Sequence, residues 1–197
     1  MELKYISTVK LFGDPPSDER ISELASALSE LGAISRRVGE ILQIKNDRKR
    51  AESLAGLYLL SQMADLSGGE YISGSGKKPY LSRGPEFNIS HSGGFAVCAV
   101  DDAPVGIDVE EIRAVKGREG LAKRYFHPDE ICRVNSGDDP ALEFLRIWTK
   151  KEAYLKLTGV GLSRELCKMN VLELDAVFSE STVLHRGNKY IITVCQN

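Results

Sequence analysis

The stretch from Asp139 to Gly159 restricts the fold of this chain more than any other. Asp139 can cap a helix, Pro140 takes the first position where no N–H is needed, and Gly159 follows the last periodic residue. Positions four apart share a helical face, so Trp148, Glu152 and Lys156 form one stripe, with Leu145 a turn earlier. The stripe begins apolar, as if docked in a core, and ends with a carboxylate and an ammonium. Trp148 is the single tryptophan of the chain, and a fully solvated helix has no use for it there. Taken alone, Glu152 and Lys156 also fit a surface pair worth roughly a few tenths of a kcal/mol. Their meaning depends on what the rest of the chain sets opposite them.

The 197 residues suffice for one large domain or two small lobes around a sizeable core. With 42% apolar and 27% charged residues the chain has the make-up of a soluble globular protein. A formal charge of −2 argues against wholesale binding of nucleic acid or of an anionic membrane. Cys98, Cys132, Cys167 and Cys195 are widely spaced with no C-x-x-C, which suits reduced thiols and gives no zinc signal. Met1 to Phe12 lacks a signal-peptide core, and no apolar run reaches membrane-spanning length. A cytoplasmic protein without a membrane segment is expected.

In chain order, Lys4 to Phe12 alternates like a strand and Gly13-Asp-Pro-Pro16 breaks it. Ser17 or Asp18 can cap a helix to about Leu31, with Ile21, Leu24, Ala25, Leu28 and Leu31 on one face. Arg36-Arg37 and Lys45 to Arg50 are basic clusters around a short apolar segment. A second helix runs from about Arg48 to Ala64, turning Leu54, Leu57, Tyr58, Leu60 and Ser61 inward. Cations at its start oppose the helix dipole, so some other demand keeps them there. Leu66 to Pro85 is rich in Gly, Ser and Pro and reads as loop. Its Gly74-Ser-Gly-Lys77-Lys78-Pro79 lacks the spacing of a phosphate loop, though its amides and a cation could still meet a phosphate.

Two apolar strands follow, Phe95–Val100 and Val105–Glu110, joined by a turn at Asp101–Pro104 and expected to form a hairpin. Ser90 and His91 precede them. As neighbours in an extended segment they point to opposite faces, and no G-x-S-x-G elbow is present, which disfavours a serine hydrolase. A hydrogen-bonding role or donation to a phosphate remains for His91. In the second strand Val105, Ile107 and Val109 take one face while Asp108 and Glu110 share the other, about 7 Å apart by strand rise. They could converge on one hard cation, or simply line a solvent-facing strand. Short helices are expected at Leu121–Phe126 and from Asp129 or Glu130 to Val134. Strands are expected at Cys167–Leu174, Ser181–Leu184 and Tyr190–Val194. The halves have similar size and element order, without a provable repeat. Asp108, Glu110 and Glu152 together with several cations suit a Mg²⁺-dependent reaction on a pyrophosphate compound, since Mg²⁺ takes one or two carboxylates plus phosphates and waters.

Phe87-Asn-Ile-Ser-His-Ser-Gly93, Val105-Gly-Ile-Asp-Val-Glu110 and Trp148-Thr-Lys-Lys-Glu-Ala-Tyr-Leu-Lys156 resemble, in order and spacing, the three signatures of the 4′-phosphopantetheinyl transferases. The larger surfactin-synthetase-activating type fits better than the shorter, trimeric holo-carrier synthase type. The resemblance runs from Gly76 to Leu162. It implies an α+β fold of two similar lobes related by pseudo-twofold symmetry, each a small antiparallel sheet packed by helices. Residues 1–103 would contact the nucleotide, residues 104–197 would carry the metal site and catalytic helix, and the cleft between them would be the active site. The implied reaction moves the phosphopantetheine arm of coenzyme A to a serine of an apo-acyl, peptidyl or aryl carrier protein and releases adenosine 3′,5′-bisphosphate. Such carriers serve fatty-acid or secondary-metabolite synthesis.

By the same resemblance Asp108, Glu110 and Glu152 match the Mg²⁺ carboxylates, with Glu152 also the base for the carrier serine, directly or through water. Lys156 matches the contact to the transferring phosphate. Ser90, His91 and Asp108 match coenzyme contacts, Lys78 and Pro79 the nucleotide loop with an extra Lys77, and Arg50 a contact near the 3′-phosphate. Arg36 or Arg37 could add to it. Carriers of this kind are acidic, so Arg124, Tyr125 and Phe126 are candidates for docking them, the alternative being a core-facing aromatic pair with a solvated basic flank. A two-lobed chain can complete its site as a monomer. The competing readings are a coenzyme A-binding regulatory module without catalysis, or another Mg²⁺-dependent phosphotransferase.

Overall fold

A computed structural model describes residues 1–74, 77–161 and 164–197, with Lys77, Arg164 and Glu165 described by their backbone alone. The chain opens with β1 (Glu2–Ser7) and α1 (Thr8–Phe12). The strand expected over Lys4–Phe12 stops at Ser7. There Thr8 turns its N–H and hydroxyl onto the Gly94 carbonyl, and the chain winds up to bury Phe12. Ser17 caps α2 (Asp18–Ser29), which buries Ile21, Ala25 and Leu28, while Leu31 lies beyond it and is exposed. The segment between the basic clusters is a helix of its own, α3 (Ser35–Leu42), burying Val38 and Ile41. Asn46 caps α4 (Asp47–Ser61). The cations at its start have local carboxylates: Arg50 meets Asp47 at 2.7 Å and Asp18 at 3.3 Å.

The Gly- and Pro-rich stretch holds a hairpin rather than a loop, β2 (Tyr71–Gly74) with β3 (Lys77–Leu81). Next come β4 (Glu86–Ser92), β5 (Phe95–Asp101) and β6 (Val105–Glu111). The expected hairpin between the last two does not form. β5 lies between β1 and β4, whereas β6 pairs with β8 (Asn188–Gln196), which pairs in turn with β7 (Val177–His185), all antiparallel. Burial supplies the reason. Ala96, Cys98 and Val100 of β5 face the core of α1–α4, and Phe95, Val97 and Ala99 pack on Val105, Ile107 and Val109. The two strands therefore stack face to face instead of side by side.

Helices α5 (Arg118–Tyr125), α6 (Pro128–Ser136) and α7 (Pro140–Thr158) lie where the sequence puts them. Asp139 accepts the N–H groups of Ala141 and Leu142, and Gly159 ends α7 in the left-handed region at φ 71°. The strand expected at Cys167–Leu174 is instead a 3-10 turn, Arg164–Lys168, with further turns. The layers run α1–α4, first sheet, second sheet, α5–α7, with Ala153 and Leu157 against Cys195 and the aromatic helix core against Ile191. Small antiparallel sheets packed by helices give the expected α+β class. Among the described residues no helix is long and apolar enough to cross a membrane.

Candidate functional site

The edges of the two sheets, β4 and β6, are stitched together by alternate side chains. Asn88 Oδ1 accepts the Ile107 N–H at 2.9 Å, the Ser90 hydroxyl donates to Asp108 Oδ1 at 2.9 Å, and Ser92 donates to Glu110 at 2.8 Å. Period two on β4 therefore meets period two on β6, holding both carboxylates in the seam. A plain solvent-facing strand is overturned, because β6 is buried from Val105 to Val109 and Asp108 is only 5% exposed.

Helix α7 crosses this strand at very short range. A Cβ on Gly106 would lie 1.9 Å from the Ala153 carbonyl oxygen, so only glycine lets the two backbones approach this closely. The approach brings the Glu152–Lys156 face of α7 onto the seam. Lys156 Nζ reaches Asp108 Oδ1 at 2.6 Å and Ser90 Oγ at 2.9 Å. Trp148 on the same stripe packs against Tyr125, Phe126 and Phe144. The surface-pair reading of Glu152 and Lys156 therefore falls.

The electrostatics are those of crowded negative charge. Burial pushes the Glu152 carboxyl above its ordinary range, and the Asp108 and Glu110 carboxylates push it further, against the pull of Lys156. Burial also raises Glu110, opposed by the Ser92 hydrogen bond and reinforced by Asp108. Asp108 Oδ2 is buried without a hydrogen-bond partner among the described residues. A bare buried carboxylate oxygen beside two more strained carboxyls fits a hard cation by donor chemistry. Among the described residues no three His, Cys, Asp or Glu side chains cage an ion by themselves. Mg²⁺ asks for only one or two protein carboxylates when phosphates and waters complete its shell.

The other expected residues divide. His91 turns away from Ser90, its Nδ1 3.2 Å from Glu52 Oε2, while Glu52 Oε1 accepts the Gly94 N–H at 2.7 Å. Burial opposes ionisation of Glu52, but these two contacts outweigh it and hold its pKa low. Pro79 and His91 border a cavity of about 160 Å³ with Arg37, Tyr71 and Asn88. Lys78 pairs with Glu86 at 3.0 Å beside the end of α7 at Gly159. Arg50 stands apart from the carboxylate seam, bonded to Asp47, Asp18 and the Ile44 carbonyl. Ser75 and Gly76 of the expected nucleotide loop lie outside the described residues, as does the side chain of the extra Lys77.

The docking triplet needs correction. Phe126 is 2% exposed and stacks on Phe144 at 4.9 Å, so it belongs to the core and cannot meet a partner. Its burial follows from the turn after α5, where Phe126 N–H closes on Ala122 and the ring folds inward. Tyr125 is half-buried on Trp148, with the Arg124 guanidinium 5.1 Å over its ring. Ser92 and Glu52 escaped the sequence reading. Ser92 carried a usable signal, since Asn88, Ser90 and Ser92 repeat with period two. Glu52 carried none, because its partner lies 42 residues away at Gly94.

The two sheets and α7 thus meet at a buried carboxylate seam with Lys156 against Asp108. Residues 104–195 match the family model of the 4′-phosphopantetheinyl transferase superfamily. A 4′-phosphopantetheinyl transferase of Bacillus subtilis is 41% identical over 98 residues, 48% of this chain and 43% of the relative. The transferase psf-1 of Bacillus pumilus is 46% identical over 90 residues, 44% and 38% of the two chains. The transferase AcpT of Salmonella typhimurium is 36% identical over 125 residues, 60% and 64% of the two. The match thus spans about two fifths of the length of the Bacillus relatives. The resemblance drawn from the motifs is thus met by these likenesses, and the matched residues 104–195 hold β6 and α7.

Proposed function

We propose that the protein is a 4′-phosphopantetheinyl transferase, moving the phosphopantetheine arm of coenzyme A to a serine of an apo-carrier protein. The observation that carries this reading is the Lys156–Asp108–Ser90 junction, a cation at 2.6 Å from a carboxylate whose other oxygen stays unbonded. Phosphoryl transfer asks a protein for positioning and charge neutralisation more than for covalent chemistry. Residues 1–103 form the lobe for the nucleotide and residues 104–197 the lobe for the chemistry. The cavity beside Pro79 and His91, which Arg37 also borders, suits the base of the coenzyme, and Lys78 and Arg50 would meet its phosphates. Arg50 reaches a phosphate only by leaving Asp18 or Asp47, both of which are exposed partners.

Asp108 Oδ2, Glu110 and Glu152 would hold Mg²⁺, which when bound neutralises the pyrophosphate oxygens. Glu152 receives the proton of the carrier serine, directly or through water. The serine oxygen attacks the phosphorus that bears the pantetheine arm. The bond to the nucleotide breaks and adenosine 3′,5′-bisphosphate leaves. Lys156 stays against the phosphate through this step and offsets its charge. Ser90 orients Lys156 and Asp108 together. A carrier with an acidic face would approach over Arg124 and Tyr125.

The test is incubation with coenzyme A, Mg²⁺ and a panel of apo-carrier proteins, followed by intact mass spectrometry. Transfer adds one phosphopantetheine to a carrier. A panel left wholly unmodified would contradict the reading.

A further inference from the structure

The residue before Glu152 makes a second ion pair that the reaction does not use. Lys151 and Glu130 are both 0% exposed, with Nζ 2.8 Å from Glu130 Oε2. Lys151 also donates to the Leu166 carbonyl at 3.0 Å and to the Met169 carbonyl at 2.6 Å. All three ammonium protons are thereby placed. Glu130 is equally engaged. Its Oε2 accepts the His127 N–H at 2.7 Å, closing the capping box of α6, and its Oε1 accepts the Val171 N–H at 2.8 Å. One buried node thus ties the start of α6, the middle of α7 and residues 166–171.

A pair this deeply desolvated is a poor way to gain stability, since apolar side chains of similar volume often serve as well. What it supplies is direction. Toward the sheet, α7 is held by the Gly106 contact at Ala153 and by the buried Thr149–Thr193 hydrogen bond at 2.7 Å. These fix its height over β6 but lie on one side of its axis. Lys151 pins the helix from the helical layer and so sets its rotation. With side-chain tips about 5–6 Å from the axis, a turn of about 20° would swing Glu152 by roughly 2 Å. A misplacement of about 1 Å can cost on the order of a hundredfold in rate.

We infer that Glu130 and Lys151 are positioning residues that fix the rotation of α7 and so aim Glu152 and Lys156 at the Asp108–Glu110 seam. The inference rests on the transferase reading, and the test separates the two. The double variant Glu130→Gln/Lys151→Met removes both charges and leaves none unpaired. Its fold is checked by circular dichroism and thermal melting, its coenzyme A affinity by calorimetry without Mg²⁺, and its kcat and KM by carrier transfer. The expected result is a folded protein with coenzyme A affinity within about threefold of the parent and kcat lower by about a hundredfold. A folded double variant with parental kcat, or with only KM raised, overturns the positioning role. A parent chain that transfers nothing overturns the transferase reading itself. Should the double variant fail to fold, Lys151→Arg keeps the charge but changes the reach of the donor. It is expected to lower kcat at least tenfold with KM unchanged, and parental kcat in that variant overturns the inference.

Discussion

Two lysines of one helix, five residues apart, each meet a buried carboxylate, and they differ in what the meeting leaves over. Lys151 and Glu130 are sealed from solvent, and every donor and nearly every acceptor of the pair is matched within the protein. Lys156 and Asp108 are closer, at 2.6 Å, yet Lys156 keeps 28% of its side-chain exposure and Asp108 keeps one unbonded oxygen. A saturated pair has nothing left to bind and acts as scaffold. An unsaturated pair that borders solvent keeps hydrogen-bonding capacity for a phosphate or a cation. The contrast separates structure from function on the same helix without reference to any relative.

The comparison breaks most readily at Lys151. Lys151→Met strands the Glu130 charge in the core and should cost about 3–5 kcal/mol. In a chain of this size that lowers Tm by on the order of 10 °C. Chemical denaturation measures it, and a loss under about 1 kcal/mol would mean that Glu130 finds other support. Lys156→Met should do the reverse. Transfer falls by about 10²–10³-fold as a charge stabilising the reacting phosphate is removed, while the loss of stability is smaller than for Lys151→Met, because Lys156 is 28% exposed and Asp108 keeps the Ser90 hydrogen bond. A stability loss as large as that of Lys151→Met would erase the distinction.

A smaller effect concerns the strained carboxyls. A carboxyl whose pKa is raised on folding holds its proton longer in the folded than in the unfolded state. It therefore contributes nothing below its ordinary pKa and costs stability as pH rises through the raised value. Glu152 is such a group, raised by burial and by Asp108 and Glu110. Without divalent cations Glu152→Gln should melt a few degrees above the parent at pH 7.5, with the gap closing toward pH 4. Parallel melting curves at both pH values would remove the strain argued for the seam.

Much of this site could be seen in the sequence because its signals are local. The caps of α7 at Asp139 and Gly159, the stripe Trp148–Glu152–Lys156 and the alternation of Val105 to Glu110 each follow from spacing within one element. Partnerships across the chain could not be seen. The apolar runs of β5 and β6 suit a hairpin equally well, and only the need to bury both faces of each sends β6 to β8 and β5 to β1. The β2–β3 hairpin hid behind its Gly, Ser and Pro content. Phe126 fits a docking face and a core equally well in the sequence, because nothing near it announces that Phe144 and Trp148 will cover it. Lys151 reads as one more solvated lysine of a basic helix. Its burial is decided by Glu130 and by the carbonyls of Leu166 and Met169, none of them on its own helix.

The central claim is that Asp108 keeps one oxygen for a cation in a seam built for phosphate transfer. A Mg²⁺ titration of carrier modification by the parent and by Asp108→Asn tests it most directly. The account predicts saturable Mg²⁺ dependence in the parent, abolished by chelator. It predicts no appreciable turnover by Asp108→Asn at any Mg²⁺ concentration, with its far-UV circular dichroism retained. Chelator-resistant transfer by the parent, or near-parental turnover by a folded Asp108→Asn, would contradict it.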